Sequence, residues 1–214
     1  TFISLAVAAV VIIAGIVIVN EAERPVPITY AKQSRGSQTY GSTSTYLPIR
    51  VNQAGVMPII FALSILLFPQ MFGNVLASSS SFFLQSVGRG LNNFVQNGWA
   101  YGIVYFVLVV GFTYFYTAIT FDPESTAENL QKNGAFVPGV RPGEHTEAFL
   151  GKVVSRLTFV GAMFLAIVAV IPIIIQSVTG ITQIALGGTS LLIVVAVVID
   201  LIKKVDAQIA MRSY

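Results

Sequence analysis

Apolar and polar positions alternate along this chain in long blocks. Five stretches are apolar for about 20 residues, the length that crosses a hydrocarbon core of about 30 Å at 1.5 Å rise per residue. They are 1–19, 51–69, 99–121, 153–175 and 184–202. Glycine and proline inside them, such as Gly55, Pro58 and Pro172, are tolerated where membrane helices pack together. Five spans leave four connections and a tail. The connection 20–50 carries a strand-like alternation in VPITYAKQ, a turn signal at SRGS and a Thr- and Tyr-rich return, which predicts a β-hairpin. The connection 70–98 places Phe82, Phe83, Val87, Leu91, Phe94 and Val95 at helical spacing. That pattern predicts an amphipathic helix on the membrane surface, with Trp99 as an interfacial anchor.

The most polar block is 122–152. Its stretch from Asp122 to Glu147 holds the only histidine, His145, and five of the nine carboxylates: Asp122, Glu124, Glu128, Glu144 and Glu147. Such a segment projects into water, because unpaired backbone and charged groups cost several kcal/mol each in lipid. Asp122-Pro123 has the form of a helix N-cap followed by proline at the first helical position, and Gly134 closes that short helix. Pro138-Gly139 and Pro142-Gly143 then bracket Arg141 with two turns. Pattern alone leaves open whether Arg141 docks a partner or is a solvated arginine near lipid headgroups.

Charge orients the spans. Arg24, Lys32, Arg35 and Arg50 lie in the first connection; Lys132, Arg141 and Lys152 lie in the third, with Arg156 just beyond; Lys203, Lys204 and Arg212 lie in the tail. Only Arg89 falls in the second connection and none in the fourth, 176–183, so eleven of twelve basic residues share one side. The positive-inside rule makes that side cytoplasmic. Connections 20–50 and 122–152 and the tail 203–214 are then cytoplasmic, with 70–98, 176–183 and the N-terminal end outside.

Composition agrees with a membrane protein: 55% hydrophobic, 10% charged, mean hydropathy +0.79. The net charge of +3 is explained by topology without nucleic acid. With no cysteine, disulfides and thiolate metal sites are excluded. The apolar start lacks a basic leader, so it does not resemble a signal peptide, and the chain is expected to be a piece of a longer one.

Enzymatic motifs are absent. There is no G-x-S-x-G elbow, and Gly151-Lys152 lacks the rest of a phosphate-binding loop. His145 has no second histidine or cysteine to share a metal, and Gly187-Gly188 has no dinucleotide-binding context. No catalytic activity, metal or cofactor is expected. Nor does any span carry a charge near its centre: Arg156 and Asp200 sit near the cytoplasmic ends. Ile60 and Ile193 each lie ten residues inward of a basic residue, Arg50 and Lys203. That is roughly 15 Å deep at 1.5 Å per residue, near the midplane, where isoleucines face lipid, fill a core, or form a hydrophobic constriction.

Four segments together resemble the SecY family of protein-translocation channel subunits: ITYAKQ, YLPIRVNQAGVMPIIFA, AFVPGVRPGEHTE and GGTSLLIVVAVVID. The likeness runs through essentially the whole chain in order. It implies an all-α membrane protein, the five-helix C-terminal half of a ten-helix inverted-repeat channel carrying a cytoplasmic β-hairpin. It implies a channel that translocates unfolded secretory polypeptides and releases membrane segments sideways into lipid. Ile60 and Ile193 match the apolar pore ring, and Asn52, Gln53, Pro58 and Ser64 fall on the helix that walls the lateral gate. Arg141, Pro142 and Gly143, with Lys32 and Arg35 of the hairpin, match surfaces that dock the motor ATPase SecA or the ribosome. Other implied partners are the N-terminal half of the channel, the SecE and SecG subunits, signal sequences, secretory chains and membrane lipid. The implied location is the inner (plasma) membrane. The chain departs from many relatives where paired arginines stand near the membrane exit and the hairpin tip. Here those places hold Arg24-Pro25-Val26-Pro27 and Ser37-Gln38, which weakens electrostatic contact with ribosomal RNA. Two other readings remain open at this point: half of an inverted-repeat carrier for a small solute, and a non-conducting membrane scaffold.

Overall fold

The structure is a computed structural model that describes residues 14–15, 17–30, 34–35, 38–39, 44–79, 81–179, 197–198, 201 and 205. It is mainly helical with a small sheet. The strands are β1 (Glu23–Tyr30), β2 (Ser34–Arg35), β3 (Gln38–Thr39), β4 (Ser44–Arg50) and β5 (Ala135–Phe136). The long helices are α1 (Met57–Ala77), α2 (Phe82–Gln96) and α3 (Gly98–Thr120), followed by α4 (Pro123–Lys132) and α5 (Glu144–Thr179). Residues 14–15 and 17–21 are helical and lead into β1. Most of the first predicted span, and all but a few residues of 184–202, lie outside the described residues.

The hairpin predicted from alternation forms. β1 and β4 pair antiparallel, with Val26 opposite Leu47 and Arg24 opposite Ile49, while β2 and β3 pair nearer the tip. Pro25 and Pro27 fit in β1 because β5 pairs with that strand only at Thr29 and Tyr30. The stretch with the prolines therefore has β4 as its single neighbour and behaves as an edge. A two-residue side chain period puts Val26, Ile28, Leu47 and Ile49 on one face. That face packs on Ala127 and Leu130 of α4 and on Leu150, Val153, Val154 and Leu157 of α5, making a core of its own.

A second core lies among the long helices. Ile59, Ala62 and Leu66 of α1 meet Tyr105 and Val109 of α3 and Leu165, Ala166, Ala169 and Ile173 of α5. Three helices among the described residues are long and apolar enough to cross a membrane. Thr113 donates to the Val109 carbonyl at 2.7 Å, so its hydroxyl is satisfied inside the helix.

Helix bounds differ from the predicted spans at two places. α1 starts at Met57, because the apolar-looking stretch before it is a turn in which Gly55 takes φ +61° and Asn52 is buried. Ile60 therefore lies in the first turn of α1, and the depth of ten helical residues counted from Arg50 does not hold. It then runs through Pro69 to Ala77, beyond the span 51–69. α5 starts at Glu144, about two and a half turns before the predicted span at 153, so the end of the polar block is helix rather than loop. With 36 residues it is about 54 Å long at 1.5 Å per residue, and it belongs to both cores.

Candidate functional site

The polar block folds into a platform on the hairpin. Asp122 caps α4, its Oδ1 accepting from the backbone N–H of Glu124 at 3.0 Å and Ser125 at 3.3 Å, and Pro123 takes the first helical position. Lys132 pairs with Glu128 at 2.8 Å on the exposed face, one helical turn apart. Gly134 turns the chain with φ +65°, and Ala135-Phe136 joins β1 as the third strand. The platform and the hairpin are thus one unit.

Two turns then present Arg141. In the first, the Val140 N–H donates to the Val137 carbonyl at 3.0 Å, with Pro138 and Gly139 between them and Gly139 at φ +84°. In the second, Pro142 precedes Gly143 at φ +93°. The Gly143 carbonyl accepts from the N–H groups of Thr146 and Glu147 and so begins α5. Thr146 is only 2% exposed, and its hydroxyl donates to the Arg141 carbonyl at 2.8 Å. The backbone of Arg141 is clasped while its side chain stays exposed. No ion pair holds the guanidinium among the described residues.

Arg141 borders an open groove of about 500 Å³ whose wall also carries His145 and Lys152. Val140, Ala148 and Phe149 line it as well. Spacings of three, four and seven along α5 bring His145, Ala148, Phe149 and Lys152 to one face. A lining that mixes the cations of Arg141 and Lys152 with apolar side chains suits an acidic, partly apolar surface.

The second candidate region is α1. Ile60 is 37% exposed, and Ser64, one turn on, is exposed with its hydroxyl donating to the Ile60 carbonyl at 2.8 Å. Ile60 and Ser64 therefore lie on a face of α1 that the described bundle leaves uncovered. Pro58 is fully buried and Gln53 half-buried. Asn52 is 7% exposed, and its Nδ2 donates to Asn20 Oδ1 at 2.6 Å and to the Gly55 carbonyl at 3.3 Å. Asn52 and Pro58 thus hold the entry to α1, whereas Ile60 and Ser64 look outward. Ile193 and Lys32 lie outside the described residues, and Arg35 is placed in β2 by its backbone alone.

Sequence reasoning missed Thr146, the His145–Lys152 wall and the Asn20–Asn52 bond. The first two had a signal: a threonine three residues after Gly143, and basic groups seven apart on one helix face. The bond between Asn20 and Asn52 spans 32 positions and had none. Among the described residues no cluster of His, Cys, Asp or Glu suits a metal ion.

Comparison with known proteins shows the family. The family model described as SecY matches residues 1–202. The protein translocase subunit SecY of Halalkalibacterium halodurans is 42% identical over 212 residues, 98% of this chain and 48% of that protein. The corresponding subunit of Thermus thermophilus is 45% identical over 202 residues, covering 94% of this chain and 45% of its own length. A solved structure of a protein conducting channel aligns over 92% of this chain and 47% of its own at TM-score 0.55 and 18% identity, a likeness of fold. A SecY structure concerned with the plug domain aligns equally widely at TM-score 0.54. The chain spans about half the length of the curated relatives it matches. With its apolar helices, sheet-backed platform and a family match through residue 202, this multi-pass membrane protein belongs to the SecY family.

Proposed function

We propose that this chain forms one half of a channel that passes unfolded polypeptides through the membrane, with docking and conduction assigned to different residues of the same chain. The observation that carries the docking half is Arg141: an exposed guanidinium without an ion partner among the described residues, on a backbone clasped by Thr146. A planar, permanently charged fork makes bidentate contacts that lysine does not. The partner at this end is the motor ATPase SecA or the ribosome, meeting Arg141, Pro142 and Gly143, with Lys32 and Arg35 of the hairpin adding charge. This end is cytoplasmic, because it gathers the basic residues of the connections 20–50 and 122–152. The tail 203–214 lies on the same side and the N-terminal end outside.

In the conducting half, Ile60 and Ile193 contribute to an apolar ring that closes against water when empty. The uncovered face of α1 at Ile60 and Ser64 faces the N-terminal half of the channel and forms a wall of the lateral gate, through which signal sequences reach lipid. SecE and SecG complete the assembly. Neither a solute carrier nor a scaffold is supported by the relatives. A passive channel shifts only between states that bind its ligands differently, so opening requires the partner and the signal sequence. The test is export driven by SecA in Arg141→Glu: assembly is retained and export falls at least tenfold. Normal export in that variant contradicts the docking assignment.

A further inference from the structure

α2 does not lie flat over the end of the bundle. Gly88 abuts the backbone of Leu76 and Ala77, while Gly73 abuts Leu91 and Asn92. The two pairings run in opposite chain directions, so α2 folds back antiparallel along the last turns of α1, beside a membrane span. Glycine on both sides allows this approach, since a Cβ on Gly88 would overlap the Ala77 backbone nitrogen.

The packed edge leaves α2 with two free flanks of different chemistry. Phe83 is 73% and Val87 41% exposed, and one helical turn puts them on the same flank. Ser86, Arg89, Asn93 and Gln96 are exposed on the other, within a sector of about 80° at 3.6 residues per turn. Phe82, in the first turn, is the one apolar residue on the polar flank. Arg89 has no hydrogen bond or ion pair among the described residues. An unpaired guanidinium is costly to place against hydrocarbon, whereas the phenylalanine–valine flank gains from leaving water. The neighbouring helices continue the apolar flank: α1 exposes Met71, Phe72 and Val75, and α3 opens with an exposed Trp99. Trp at that position marks a membrane interface.

We propose that α2 stands upright at a lipid–water boundary in the leaflet where α1 ends. Phe83 and Val87 dock into the acyl region of that leaflet, and Ser86, Arg89, Asn93 and Gln96 line a water-filled recess on the other flank. The occupant of the apolar flank is bilayer lipid, because that flank is continuous with the exposed apolar surface of two membrane-spanning helices. Single cysteines are introduced at Val87 and Asn93, with Phe83 as a second position on the apolar flank; this chain contributes no cysteine of its own, and any cysteine elsewhere in the full-length protein is first replaced by serine.

Spin labels at these sites, in the full-length channel protein reconstituted in liposomes and checked for retained export, are exposed to oxygen and to a water-soluble nickel chelate. The ratio of oxygen to nickel accessibility is expected to be several-fold higher at 83 and 87 than at 93. Equal ratios on the two flanks, or labels at 83 and 87 shielded from both reagents by another protein surface, overturn the proposal.

Discussion

Thr146 donates its hydroxyl to the carbonyl of Arg141 at 2.8 Å from a site that is 2% exposed. One buried side chain thereby sets the backbone from which an exposed guanidinium projects. Thr146→Val keeps the shape and removes the bond, a loss of about 1 kcal/mol. That is about a five-fold shift in the population of the presenting loop. SecA-driven export is expected to fall by a similar factor, Thr146→Ser to restore it, and membrane assembly to stay unchanged in both. Export unaffected by Thr146→Val would show that the clasp does not position Arg141.

Two glycines act through close approach. Gly161 of α5 lies against the segment that enters α1, where an added Cβ would sit 2.7 Å from the Val51 carbonyl oxygen, and Gly88 lies against Ala77. Gly161→Ala and Gly88→Ala force backbones apart and are each expected to cost about 1–3 kcal/mol, the range for overpacking. Thermal unfolding of the purified complex in detergent checks this. Gly90→Ala, where nothing lies within 4 Å, is the matched control. Midpoints equal to that control would mean the approach is looser than described.

The apolar constriction predicts a leak. In the proposed channel, replacing Ile60 and Ile193 together by glycine is expected to widen the ring and admit water. Ion conductance of reconstituted channels without a passenger chain is expected to rise several-fold, with Ile60→Gly alone intermediate. Unchanged conductance in the double variant would remove both residues from the seal.

What the sequence made legible were features with local causes. The β1–β4 pairing followed from alternation and a turn, and α4 from Asp122-Pro123 at one end and Gly134 at the other. The turns around Arg141 followed from two Pro-Gly pairs whose glycines both take positive φ. Features decided by distant contacts were not legible. β5 is two residues long and exists because β1 offers an open edge. The start of α1 was misplaced because Asn52 and Gly55 make a turn within an apolar-looking run. The first turns of α5 escaped because they serve the platform core, through Phe149 and Leu150, and only later residues serve the membrane core. In the candidate site, the paired turns around Arg141 were legible in sequence, whereas the Thr146 clasp beneath them and the Asn20–Asn52 bond at the entry to α1 required the fold.

The central claim is that a polypeptide passes the face of α1 carrying Ile60. A secretory chain stalled midway, with photoreactive probes at Ile60, Ile193 and, as a lipid-side control, the exposed Val107 of α3, tests it most directly in the intact complex. The account predicts crosslinks to the stalled chain from Ile60 and Ile193, and lipid adducts alone from Val107. Absence of chain crosslinks at both isoleucines, in a complex that demonstrably holds the chain, would contradict it.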